Sequence, residues 1–317
     1  MPTGETLVTR HDRSVDDLAR ALGPTVERDH ALGALTTYRV GGTAALFEEV
    51  TDEARLVEVA RCTAGADVPV LVLGRGSNLL VADRGFDGLV VTLGPGFDSL
   101  EVEGDRVRAG AALSLPVLAR RTTAAGLRGL EWAVGVPGSV GGAVRMNAGG
   151  HGSDTAATLA EYAWVDLATG AAGSSPAERL DPGYRTTALR ASEVVVSAAF
   201  RLEPGDPDEG AAVIAEIVRW RRAHQPGGSN AGSVFTNPVG DSAGRLIDGC
   251  GLKGFRIGTA EVSTKHANFI QADPGGSADD VHSVIEHVQE TVARATGTVL
   301  HTEVRLVGFD PPEAVSR

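Results

Sequence analysis

Ser233 stands between Gly232 and Val234 in the run Asn230-Ala231-Gly232-Ser233-Val234-Phe235-Thr236-Asn237-Pro238. A hydroxyl in that setting can be a proton donor, a nucleophile or a plain turn residue. The run lacks the Gly-x-Ser-x-Gly elbow of hydrolases, and spacing alone gives the serine no base. Asp181-Pro182-Gly183-Tyr184-Arg185 reads as a turn that delivers Tyr184 and Arg185. Near the other end of the chain, alternation puts Glu303 and Arg305 on one face of a strand. Taken singly, Arg185 and Glu303 are side-chain types that more often lie at the surface.

Two glycine-rich segments suggest close contact with a ligand. The first, Gly74-Arg75-Gly76-Ser77-Asn78, follows a continuous apolar run. Its glycines allow a tight turn and close backbone approach, and its consecutive N–H groups can form a phosphate-binding nest. It does not complete the dinucleotide fingerprint, because Leu79 stands where the last glycine belongs. The second runs from Gly135 to Gly150, and seven of its sixteen residues are glycine or proline. Each glycine weakens a regular element by about 0.5–1 kcal/mol; contact with a bound cofactor is a common reason to tolerate that cost. Val136, Val140 and Val144 keep a helical apolar spacing, which a linker would not need.

The elements that must position these residues are legible in outline. Residues 1–29 read as an extension with a short helix over 15–22. Strands are expected at 43–50, 68–73 and 88–93, with a helix over 52–64; the unbroken apolar run at 68–73 suggests burial on both faces. Gly104-Asp105 marks a hairpin between 100–103 and 106–109. A helix over 115–125 has Ser114 as N-cap, Pro116 in its first turn and Gly126 as its stop. Strands follow at 161–166 and 194–202. Pro204-Gly205-Asp206-Pro207 suggests a domain boundary. Helices are expected over 209–223 and 278–296 with a strand at 268–271, and a closing strand over 300–307 should return to the first domain.

Composition narrows the functional class. The chain has 317 residues, enough for two or three domains at roughly 100–200 residues each. Its 29 basic and 41 acidic residues give a net charge of −12, which argues against a nucleic-acid partner. Local backbone N–H groups can still bind a phosphorylated small molecule. Cys62 and Cys250 are far apart and outside any Cys-x-x-Cys, so neither a disulfide framework nor a thiolate metal site follows. With no apolar leader and no membrane-length apolar stretch in the sequence, a cytoplasmic protein is expected.

Together these segments resemble the UDP-N-acetylenolpyruvoylglucosamine reductase family of peptidoglycan precursor synthesis. The resemblance runs through Thr37-Tyr38-Arg39-Val40-Gly41-Gly42, residues 74–80, 135–152, 184–185, 232–238, 242–258, 262–270 and 303–308, and covers about residues 30 to 309. It implies an α+β fold: a two-part FAD-binding unit of the vanillyl-alcohol-oxidase type plus an α/β substrate-binding domain. Residues 30–95 and 303–317 would form the first FAD subdomain, 96–202 the second, and 203–302 the substrate domain. The implied cofactor is non-covalent FAD, with NADPH as co-substrate at the site that the UDP-linked enolpyruvyl amino sugar later occupies. A monomer is expected.

The same resemblance assigns Ser233 as donor of a proton to the substrate's α carbon, with Arg185 and Glu303 stabilising the enolate-like intermediate. A guanidinium suits that charge; a carboxyl helps only if protonated or hydrogen-bonded, so Glu303 needs a raised pKa. Tyr38, Arg39, Gly74, Arg75, Gly76, Ser77, Asn78, Gly135, Pro137, Gly138, Ser139, Gly141, Gly142, Asn147 and Gly149 would hold the cofactor. Tyr184, His224 and Asn237 would meet the substrate. The chain departs from the family at His224 and Thr236, where many members have lysine, and at Thr187, where many have serine. About fifty residues separate Arg185 from Ser233, as in the shorter type that lacks an inserted tyrosine-bearing loop. The departures keep two alternatives open: a flavin reductase for another sugar nucleotide, and a non-catalytic flavin-binding protein.

Overall fold

The computed structural model describes residues 10–309, so residues 1–9 of the expected extension and 310–317 of the expected first subdomain lie outside the described residues. Helix α1, Arg10–Leu22, buries Val15, Leu18, Ala19 and Leu22, the i, i+3, i+4, i+7 stripe of a helix with one apolar face. That stripe packs on Leu56, Val59 and Ala60 of helix α2, Glu53–Thr63, within the core of the first lobe. Strand Glu27–Ala31 pairs antiparallel with Thr43–Val50. Residues 10–29 are therefore part of the lobe's body and not an appendage.

The first sheet has the order Glu27–Ala31, Thr43–Val50, Phe86–Leu93, Val70–Leu73, and its last three strands are parallel. Asp52 caps α2 by accepting from the Arg55 amide. The run expected to be buried on both faces turns out to be the edge strand Val70–Leu73, in which only Leu73 is buried. No strand pairs beyond it among the described residues.

In the second lobe, five antiparallel strands lie in the order Ala172–Pro176, Leu159–Asp166, Glu193–Arg201, Arg106–Gly110, Leu100–Glu103. The hairpin forms at Gly104 as expected, with φ +61°. Helix α3, Leu115–Ala124, starts at its Ser114 cap, and the short α4, Val140–Met146, follows. Helix α5, Pro207–His224, sends Ile214 and Ile217 into the core that contains Leu118, Trp132 and Phe200. The packing boundary therefore falls after α5. The Pro-Gly run at 204–207 breaks the chain locally but does not divide the lobes.

The third core is built from α6, Ala243–Gly249, α7, Ala278–Thr296, and the sheet Arg256–Ile257, Ala260–Val262, Ile270–Ala272. Helix α7 spans the expected residues and buries Val281, Val284, Ile285, Val288 and Val292. The chain then returns to the first lobe, where Arg305–Val307 pairs parallel with Leu79–Val81. The Asp83 carboxylate reinforces this seam by accepting from the Ser277 hydroxyl and the Ala278 amide at the start of α7. No helix among the described residues is long and apolar enough to cross a membrane.

Candidate active site

The loop after Val70–Leu73 is clamped from one side by residues 35–37. The Thr37 amide donates to the Gly76 carbonyl (3.1 Å). Gly76 has φ +58°, and a Cβ there would stand 2.1 Å from the Leu35 carbonyl oxygen. Both observations predict that Gly76→Ala destabilises the protein by more than about 1 kcal/mol, read as a lower melting temperature and weaker FAD retention. On its other side the loop meets the second glycine-rich segment: a Cβ on Gly74 would lie 2.8 Å from Ser139 Oγ, and one on Gly138 would lie 3.5 Å from Ser77 Oγ. Folding thus brings the two segments face to face.

The second segment is more regular than its glycine content suggests. Ser139 Oγ accepts from the Gly142 amide and starts α4, which buries Val140 and Val144. Several residues expected to touch a cofactor also have structural work. A Cβ on Gly135 would press on Arg221 and Ile217 of α5, and one on Gly141 would press on Ala111. A Cβ on Gly149 would fall 2.5 Å from the Ser153 carbonyl, and the Gly149 carbonyl accepts from Arg185 Nη2 (2.8 Å). Asn147 places its side chain on Asp154, Gly183 and Ala156. Asn78 Nδ2 donates to the Glu303 carbonyl (3.0 Å), and the Arg305 amide donates to the Asn78 carbonyl. These contacts engage the Asn78 and Asn147 side chains within the protein, and they explain why no side chain fits at Gly135, Gly141 and Gly149.

The catalytic candidates converge. Arg185 Nε donates to Glu303 Oε1 at 2.9 Å, with the two side chains only 23% and 16% exposed. Burial pushes the Glu303 carboxyl above its ordinary pKa, outweighing the downward pull of Arg185. The Val234 carbonyl accepts from the Glu303 amide (2.7 Å), so Ser233 sits one residue from the backbone that carries Glu303. The Ser233 hydroxyl is half-buried and has no hydrogen bond to a described residue. A cavity of about 370 Å³ is lined by Met146, Tyr184, Arg185, Thr236, Glu303 and Arg305. A larger groove of about 660 Å³, between α3 and α5, involves none of these residues.

Comparison with known proteins gives this geometry a family. Residues 224–307 match the UDP-N-acetylenolpyruvoylglucosamine reductase C-terminal domain, and residues 44–173 match an FAD binding domain. The UDP-N-acetylenolpyruvoylglucosamine reductase of Synechococcus sp. strain RCC307 is 42% identical over 293 residues, 89% of this chain and 94% of that protein. That of Rubrobacter xylanophilus is 40% identical over 296 residues, 92% of this chain and 99% of that protein. The solved reductase of Thermus caldophilus superposes with a TM-score of 0.79 at 36% identity, covering 89% of this chain and 98% of that one. The chain belongs to the UDP-N-acetylenolpyruvoylglucosamine reductase family. As a member it is an FAD-dependent oxidoreductase. Its α+β fold with an FAD-binding unit is the one expected from the sequence.

The reductase's own residues fit the cofactor. Tyr38 is fully buried and its hydroxyl has no partner among the described residues, in the loop that clasps Gly76; burial also pushes its pKa upward. Such an orphaned hydroxyl is costly unless a ligand completes it. Arg39 and Arg75 are exposed cations with no carboxylate partner among the described residues. Gly138 and Ser139 face residues 74–77.

The expected substrate residues divide. Tyr184 lines the cavity, 60% exposed, with Arg185 Cζ 5.1 Å from its ring centroid. Asn237 Oδ1 accepts from the Ala243 amide (3.1 Å), which leaves its amide nitrogen available. His224 is exposed at the end of α5, stacked on Trp220 and hydrogen-bonded through Nδ1 to the Trp220 carbonyl. Sequence reasoning missed Asn268, which is buried and makes two bonds to the Phe235 backbone, Phe235 N to Oδ1 and Nδ2 to Phe235 O, holding the Ser233 loop. It lies in the turn just before the strand Ile270–Ala272, and a polar residue beside Phe269 and Ile270 was its one visible signal.

Proposed function

We propose that the reductase uses NADPH to convert the enolpyruvyl group of UDP-N-acetylglucosamine enolpyruvate to the lactyl group of UDP-N-acetylmuramate. The observation that carries this reading is the Arg185–Glu303 pair beside the Ser233 loop, lining a cavity that Met146 at the end of α4 also lines. FAD held there would supply hydride chemistry between NADPH and the enolpyruvyl methylene. Gly74, Gly76, Ser77, Gly138 and Ser139 would hold that cofactor, with Arg39 and Arg75 as cations for its pyrophosphate.

The chain's part is to manage charge and the proton. Electron density displaced from the double bond collects on the α carbon and its carboxylate. Arg185 is a planar, permanently charged donor suited to that carboxylate. Glu303, with its raised pKa, can carry a proton and donate a hydrogen bond to the same charge. Ser233 gives its proton to the α carbon and regains one from solvent. Arg305 lines the cavity without a carboxylate partner among the described residues, so it can meet a substrate anion despite the chain's overall negative charge.

Anaerobic mixing tests the whole reading. NADPH should bleach the flavin of the purified protein, and the enolpyruvyl substrate added afterwards should restore its colour. A protein that takes up no FAD, or a reduced one indifferent to this substrate, overturns it. Because one site serves both ligands in turn, initial rates should give parallel ping-pong lines, with inhibition by excess enolpyruvyl substrate. Intersecting lines would show both ligands bound together and contradict the shared site.

A further inference from the structure

Asn147 ends α4 with φ +40°, and it is only 6% exposed. Its side chain reaches three separate segments. Nδ2 donates to Asp154 Oδ2 and to the Gly183 carbonyl, each at 3.1 Å, and Oδ1 accepts from the Ala156 amide at 3.0 Å. Both amide donors are thereby used, leaving none for a ligand. Gly183 opens a turn closed by reciprocal backbone bonds, Gly183 N to Thr186 O and Thr186 N to Gly183 O. That turn carries Tyr184 and Arg185.

Arg185 itself has φ +58°, in the left-handed region that a long side chain rarely adopts. Such a conformation persists only where its surroundings over-determine it. Here the turn is tied at Gly183 by Asn147, and Thr187 just beyond it donates to the Arg145 carbonyl at the end of α4. The guanidinium meanwhile spans the Gly149 carbonyl and Glu303.

We propose that Asn147 is a positioning residue for the reduction: it holds the Gly183–Thr186 turn in the form that keeps Arg185 on Glu303. This rests on Arg185 and Glu303 acting on the substrate as proposed above. The residue type follows from the geometry. Asparagine tolerates the left-handed cap and offers two donors and an acceptor at once. Aspartate would turn both donors into acceptors facing the Asp154 carboxylate and a carbonyl. Glycine would keep the cap and lose every tie.

The test uses FAD-loaded, full-length protein carrying Asn147→Asp or Asn147→Gly, with Arg185→Ala as control. Hydrogen exchange should quicken about tenfold or more at the amides of residues 183–187, with α7 unchanged. Flavin reduction by NADPH should keep its rate, while reoxidation by the enolpyruvyl substrate slows about 10- to 100-fold. The pH profile of reoxidation should also move to higher pH, because Glu303 loses its nearest cation. Tyr184, Arg185 and Arg305 are the other charged or titratable groups lining that cavity.

Wild-type exchange at 183–187 and wild-type reoxidation in both variants overturn the proposal. So does a uniform rise in exchange with equal loss in both half-reactions, since that marks general destabilisation. If Arg185→Ala reoxidises normally, the catalytic reading falls and Asn147's role falls with it. If Arg185→Ala is slow and the Asn147 variants are not, only the Asn147 inference falls. Should neither Asn147 variant fold, Asp154→Ala removes one partner of the same amide and decides by the same readouts: a smaller change in the same direction supports the proposal, and no change overturns it.

Discussion

Ser233→Ala should reduce its flavin with NADPH at a near-normal rate and then reoxidise with the enolpyruvyl substrate about 10²–10⁴-fold more slowly, the usual cost of losing a general acid. The first half-reaction passes a hydride between two bound cofactors and asks nothing of the serine hydroxyl. The second leaves a carbon that must gain a proton, and alanine has none to give. Burial of Val234 and Phe235 and the two bonds from Asn268 hold the loop independently of the hydroxyl. The substitution should therefore leave the melting temperature nearly unchanged. Stopped-flow measurement of each half-reaction decides the matter. If Ser233 only shapes a turn, both rates fall together or neither does; a normal oxidative half-reaction removes it from the mechanism.

Arg185→Ala should slow the same half-reaction by about 10²–10³-fold, as expected for loss of one preorganised donor to a developing anion. It should also change the pH behaviour in a defined direction. Burial holds the Glu303 pKa above its ordinary value, and Arg185 pulls the other way. Removing the guanidinium leaves burial unopposed, so the pKa rises further and the alkaline limb of activity moves to higher pH. The sign for stability follows by linkage. A carboxyl with a raised folded-state pKa binds its proton more tightly in the folded protein. Its contribution is fully present below the unfolded pKa and is lost as pH rises through the folded pKa. The melting temperature of Arg185→Ala should therefore fall more steeply than that of wild type from the ordinary carboxylate range upward, because a buried carboxylate without its cation is strongly unfavourable. Glu303→Gln cannot titrate and should lack this dependence. A pH profile unmoved by Arg185→Ala would show that the pair does not act as a unit.

What the sequence by itself determined about this protein is whatever rests on neighbours along the chain. The Gly104-Asp105 hairpin, the Ser114 cap and the apolar stripe of α7 depend on local dihedral preferences and on periodicity, and all three stand in the structure. The ordered glycine, serine and arginine segments were enough to indicate the family, because close backbone approach and positive φ restrict residue choice tightly. Tertiary structure decided everything that depends on which surface meets which. Periodicity shows that a face is apolar but not which core it will join: α5 reads as part of the third domain yet packs on the second core, and the run at 68–73 reads as buried on both faces yet Val70–Leu73 lies at an edge. The Arg185–Glu303 bond joins residues 118 positions apart, and its strength depends on a burial that no local pattern encodes. Asn78 and Asn147 stand beside glycines, where a small polar side chain suits both ligands and turns. Only the folded chain shows that their hydrogen-bonding groups meet Glu303, Asp154, Ala156 and Gly183, since a side-chain amide is indifferent to whether its partner belongs to a cofactor or to the protein.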